Sequence, residues 1–136
     1  MEKNPELCHP QTGRNIELGR NVTIGQYARA LRQLQTIRHQ ARILFHEVDV
    51  IITPTTPAPP FLLNPGSEPD LVLLRNAIPF NIYTLPTISV PCGFTHEGLP
   101  IGMQISAAPG DEGTVIALAA AYERETDWHT RRPPLA

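Results

Sequence analysis

The segments DVIITPTTPAPP, residues 49–60, and NIYTLPTISVPCGFTHEGLPIGMQIS, residues 81–106, decide the fold. In the first, Asp49 precedes a continuous run of β-branched residues that Pro54 stops. Such a run suits a strand covered on both faces, as in a parallel sheet inside an α/β layer structure. The second segment holds two short strands, Thr87–Cys92 and Ile101–Ser106, joined by Gly93–Pro100 with the turn residues His96, Glu97 and Gly98. That spacing predicts an antiparallel hairpin.

Helices flank these strands. Thr23 followed by Gln26 fits a capping box, where hydroxyl and carboxamide each satisfy one free backbone amide. Ile24, Tyr27, Leu31, Leu34, Ile37, Ala41, Leu44 and Val48 then recur every three or four residues. They predict one helix with an apolar stripe from Thr23 to Val48. At the other end, Asp111 and Glu112 supply negative charge at a helix start, and Val115, Leu118, Ala119 and Tyr122 form a stripe to about Glu125. A short helical stretch is expected at Leu71–Ala77, ending before Pro79. Residues 1–21 read as irregular or weakly helical, and Trp128–Ala136 as a tail. Thr55 to Asp70 is dense in proline and reads as a loop.

The two segments, in this order behind an arginine-studded helix, resemble the amidase signature family. N-x-x-x-L-P, Val-Pro-Cys-Gly and G-L-P-I-G-M-Q carry the likeness, which covers roughly residues 14–133. It implies an α/β fold, the C-terminal portion of an amidase-signature mixed-sheet α/β/α domain. Residues 1–136 then form a single partial domain, with the Pro-rich loop 55–70 inside it. Members hydrolyse amides through a Ser–cis-Ser–Lys triad in a Gly/Ser-rich stretch, which the resemblance puts N-terminal to everything here.

None of that triad maps onto this chain. An activated serine needs a base and a pair of backbone amides for the oxyanion. The serines are Ser67 in the Pro-rich loop and Ser89 and Ser106 on predicted strands, and the single lysine is Lys3. By resemblance, Thr55, Asn81 and Pro86 form a wall of the substrate channel, because ligands collect at the carboxyl ends of strands. The other reading of Thr55 and Asn81 is that they satisfy backbone groups at strand and helix ends. Where the A chains of tRNA amidotransferases carry an acidic residue, a threonine and a glycine before Leu-Pro, this chain has Leu74, Ala77 and Thr84. On those positions it is expected to stand closer to broad-specificity amidases than to the glutamine-reading tRNA amidotransferase branch.

Composition bounds the remaining possibilities. With 136 residues, 41% hydrophobic and 18% charged, the chain is long enough to bury a core. A net charge of -2 gives no electrostatic footprint for nucleic acid. Arg29, Arg32, Arg38 and Arg42 lie opposite the apolar stripe, as solvated charge does. Two cysteines, Cys8 and Cys92, make no disulfide framework. Cys92 at the Pro-Cys-Gly turn has no cationic neighbour in sequence to lower its pKa. His39 and His46 lack the i, i+4 spacing of a helical zinc pair. Neither metal nor cofactor is expected. No apolar run suits a signal peptide or membrane span, and the chain reads as cytoplasmic.

Two functions remain open at this point. One is a C-terminal amidase fragment, inactive alone, whose partners are a complementary N-terminal amidase segment or further copies of itself. The other is a non-catalytic binding or assembly module derived from an amidase.

Overall fold

The computed structural model describes residues 8–61 and 71–132. The chain divides into two compact units, residues 1–36 and 37–136. Within the first, α1 spans Pro10–Gly19, a helix where the sequence suggests irregular structure. His9 caps it, its Nδ1 accepting from the Gln11 amide at 3.3 Å. Pro10 stands in the first turn, where its missing N–H costs nothing.

Helix α2, Ile24–Ala41, starts at the expected capping box. The Thr23 amide donates to Gln26 Oε1 at 2.8 Å, and the Gln26 amide to Thr23 Oγ1 at 3.2 Å. It ends earlier than the stripe predicts, passing into a 3₁₀ turn at Arg42–Phe45. Leu44 and Val48, beyond the last α turn, are exposed, as are Leu31 and Ile37 within α2. Ile24 and Tyr27 are exposed as well.

The second unit is built on three strands. These are β1, Val50–Pro54, β2, Thr87–Phe94, and β3, Pro100–Ala107. Their order is β1-β3-β2. The expected hairpin is present, with β2 antiparallel to β3 and a bulge between Pro91 and Gly93. The turn has Gly98 at φ 81, a left-handed conformation open to glycine without steric cost. A parallel neighbour is expected for β1 from its sequence, but it pairs antiparallel with β3, Val50 facing Ala107 and Pro54 facing Met103. Nor is β1 covered on both faces as expected, since none of its residues is fully buried and Ile52 is exposed. A run of β-branched residues favours a strand and is silent on its neighbour's direction and on what covers it. Pro54 and Pro91 both fall on edge strands, where a missing donor is tolerated.

Alternation along the strands splits the sheet into two chemically different faces. On one, Val90 and Ile105 form the core with Ala119 of α4, Glu112–Glu125. Val50, Ile88, Met103, Leu118 and Tyr122 pack around them. Asp111 caps α4, its carboxylate accepting from Thr114 N at 3.4 Å and Thr114 Oγ1 at 2.8 Å. Thr53, Ser89, Gln104, Ser106 and Thr87 occupy the opposite face, held in register by the same ladders.

Before β2, a 3₁₀ turn covers Leu71–Leu74 and α3 follows at Ile78–Tyr83. The sequence places a helix end before Pro79. That proline instead opens α3, in the first turn where it fits best. Thr84 ends the helix at φ 56, ψ 42, and Arg38 Nε donates to the Ile82 carbonyl at 3.0 Å, satisfying a free terminal acceptor.

Candidate functional site

The polar sheet face is the part of the molecule with convergent hydrogen-bonding groups. Gln104 centres it, buried at 3% exposure on the middle strand. A carboxamide there must find partners, because an unpaired buried donor costs about 1–3 kcal/mol. Gln104 Nε2 donates to Thr53 Oγ1 at 3.2 Å and to the Asn76 carbonyl at 3.1 Å. Asn76 Nδ2 donates in turn to the Pro54 carbonyl at 2.9 Å. The end of β1 is thus tied to the turn before α3 through the central strand.

One pleat further along β3 lies Gly102. The Thr55 amide donates to its carbonyl at 2.9 Å, and the Thr55 and Ser89 hydroxyls share a hydrogen bond of 2.5 Å. A shallow hollow of about 170 Å³ opens beside it, between Thr56–Pro59 and Pro100–Gly102. In the other direction along β3, Ser106 is fully buried and bonds the Thr87 hydroxyl at 2.9 Å.

Of the three expected wall residues, Thr55 stands at this rim, half-buried. Asn81 is exposed on α3, where its carbonyl accepts from Thr84 N at 3.2 Å. Pro86 is half-buried, and its carbonyl accepts from the Ala107 amide at 3.2 Å. No hydrogen bond joins the three to one another among the described residues. Sequence reasoning missed Gln104 and Asn76, although a carboxamide at an alternating position in an otherwise apolar strand is a readable signal.

Among the candidate nucleophiles, Ser89 and Ser106 spend their hydroxyls on threonine hydroxyls. Ser67 and Lys3 lie outside the described residues, as does 62–70 of the expected Pro-rich loop. Cys92 is a free thiol, half-buried, with Sγ 3.5 Å from the Ile101 carbonyl. Arg29, Arg32, Arg38 and Arg42 are exposed, but so are Ile24, Tyr27, Leu31 and Ile37 of the apolar stripe, so exposure does not set the two faces apart. No group of three or more His, Cys, Asp or Glu that could hold a metal occurs among the described residues. No helix among them is long and apolar enough to cross a membrane.

Comparison with known proteins gives the family. The sequence pattern of the family named Amidase matches residues 2–116. The A chain of the glutamyl-tRNA(Gln) amidotransferase from Synechococcus sp. is 40% identical over 132 residues, covering 88% of this chain and 26% of that protein. Its counterpart from Halalkalibacterium halodurans is 42% identical over 113 residues, covering 80% of this chain and 23% of that one. In a crystal structure of an amidase, the similar region superposes with a TM-score of 0.80 at 25% identity, over 91% of this chain and 30% of the other. The chain therefore spans about a quarter of the length of the curated relatives it matches.

These relatives correct the expected subfamily. Several glutamyl-tRNA(Gln) amidotransferase A chains match at 34–42% identity, so the likeness does not favour broad-specificity amidases over that branch. The expectation rested on Leu74, Ala77 and Thr84. The structure puts all three in one short region around α3, Leu74 in the 3₁₀ turn and Ala77 and Thr84 as the two caps. With the two-faced sheet, its hairpin and the match over residues 2–116 all in agreement, this chain is a member of the amidase family.

Proposed function

We propose that this chain supplies sheet, helical cover and one substrate-channel wall to an amide-hydrolysing enzyme, and that alone it hydrolyses no amide. What supports this reading is the family match over residues 2–116, together with Ser89 and Ser106 hydroxyls that are each bonded to a threonine and a single lysine, Lys3, in the sequence. Nucleophile and base then come from a complementary N-terminal amidase segment bearing the Ser–cis-Ser–Lys triad. In the completed site the serine attacks the amide carbonyl and lysine takes its proton through the bridging serine. Backbone amides stabilise the oxyanion; the C–N bond then breaks as the proton held by lysine passes to the leaving amine, and water hydrolyses the acyl-serine.

The role of this chain is positioning. Thr55, Asn81 and Pro86 line the channel, with Thr55 oriented by Ser89 and by the Gly102 carbonyl. The Gln104–Asn76 network keeps that end of β1 in place. Its matched relatives are named as subunits of an amidotransferase, which supports assembly with another chain. Free Cys8 and Cys92 fit a reducing, cytoplasmic setting.

Ammonia release from glutamine and from simple aliphatic and aryl amides tests this. The purified chain should match a heat-killed control, and activity should arise on mixing with a separately expressed triad-bearing segment of a relative. Turnover by the chain alone that is lost in Ser67→Ala, Ser89→Ala or Ser106→Ala would overturn the reading.

A further inference from the structure

At one corner of the second unit, the β2–β3 hairpin tip meets the turn that follows α4. Phe94 and Trp128 come together there, ring centroids 6.0 Å apart and planes tilted by 55°. The guanidinium carbon of Arg131 lies 4.5 Å from the Trp128 ring centroid and 5.4 Å from that of Phe94. Beside them opens a groove of about 770 Å³, with Phe94, Leu99, Pro100 and Trp128 as apolar walls and Arg131 and Arg132 on its border. That size falls in the range of ligand pockets, about 300–1,000 Å³. The groove shares no lining residue with the Thr55, Asn81 and Pro86 set.

Its charge is one-sided. Among the described residues, Arg131 has one carboxylate partner, Asp127, at 3.4 Å across the Trp128–Thr130 turn, and both side chains are well exposed. Arg132 forms no ion pair among the described residues, and no described carboxylate lines the groove. Planar guanidinium forks recognise carboxylates through paired, charge-assisted hydrogen bonds. The apolar walls favour a flat hydrophobic body on the same molecule, which would cover Leu99, Pro100 and the part of Trp128 that Phe94 and Arg131 leave free.

We propose that this groove binds a small arylalkyl carboxylate, its ring against Trp128 and Leu99 and its carboxylate on Arg131 and Arg132. Its test does not depend on amide hydrolysis.

Trp128 is the only tryptophan of the chain, so its fluorescence reports the groove directly. Titration of the full chain with 3-phenylpropanoate should give a saturable change in Trp128 emission. The neutral 3-phenylpropanamide and the ringless acetate should each bind about tenfold or more weakly, the loss expected when one charged hydrogen bond or the apolar body is removed. Arg132→Gln, at an exposed position, should weaken 3-phenylpropanoate by a similar factor while leaving the circular dichroism melt unchanged. Arg131→Gln should act in the same direction; if that variant fails to fold, Arg132→Gln and the amide arm decide. Equal binding of the amide would reduce the groove to an apolar hollow, and equal binding of acetate to a simple ion contact. Either result, or the absence of a saturable response, would overturn the proposal.

Discussion

The hydroxyls of Thr55 and Ser89 meet at 2.5 Å directly over the backbone of Gly102. A Cβ at Gly102 would lie 2.7 Å from Thr55 Oγ1 and 2.9 Å from Ser89 Oγ. Glycine is therefore required by the two side chains that cross it, with no call on its conformational freedom. Three chain segments share this point, and it bears on the channel wall as proposed above.

Gly102→Ala should destabilise the chain by about 1–3 kcal/mol, the usual cost of forcing an extra carbon into an occupied space. Ser89→Ala in the same chain should recover part of the loss, because one of the two crowding oxygens is gone and the sites are coupled. Urea titrations of both single variants and the double variant check this. Strict additivity would show that the crowding relaxes by another route.

Thr23→Ala should cost about 1 kcal/mol, as the loss of a helix cap does. The reciprocal bonds between Thr23 and Gln26 are the reason. Loss of helical ellipticity confined to the first turn, with a lowered denaturation midpoint, is the expected outcome. An unchanged midpoint would mean that α2 takes its stability from elsewhere.

Thr84→Gly should stabilise the chain by roughly 0.5–1 kcal/mol, since a β-branched residue is strained in the left-handed region. Thr84 holds φ 56 at the C-cap of α3, where a glycine would sit without a Cβ clash. A higher melting temperature for the glycine variant is the measurement. A lower one would show that the bond from Thr84 Oγ1 to the Tyr83 carbonyl, 2.6 Å, outweighs the strain.

Association is expected of the chain by itself. β1 and β2 form the two edges of the three-stranded sheet, and unpaired edges invite pairing with other chains. Ile24, Tyr27 and Leu31 add exposed apolar surface. Light scattering at low micromolar concentration should show oligomers, converted to a defined complex by the complementary segment. A monodisperse monomer with a cooperative melt and no binding of hydrophobic dyes would instead favour a self-contained module.

Local chemistry made much of this protein readable without coordinates. The Thr23–Gln26 box, the acidic start of α4 at Asp111 and Glu112 and the Gly98 turn depend on residues close together in the chain, so neighbouring letters suffice, although the Asp111 cap itself came from the structure. The hairpin followed from alternation on both sides of a short turn, and the family from motifs lying along those same strands. Local signals also misled where they were silent on context. Nothing in the sequence between Ala41 and Val48 marks the end of α2, and Pro79 reads as a stop although it opens α3.

What only the tertiary structure decided are relationships across distance. Gln104 reaches Thr53, 51 residues away, and Thr55 reaches Ser89, 34 residues away. Neither pair exists until the antiparallel placement of β1 on β3 sets the register, and a slip of one residue would turn every such side chain to the opposite face. Register is fixed by burying Val50, Val90 and Ile105 beneath α4, a collective packing term that no single segment contains. The polar face of the sheet is therefore a consequence of how the apolar face packs.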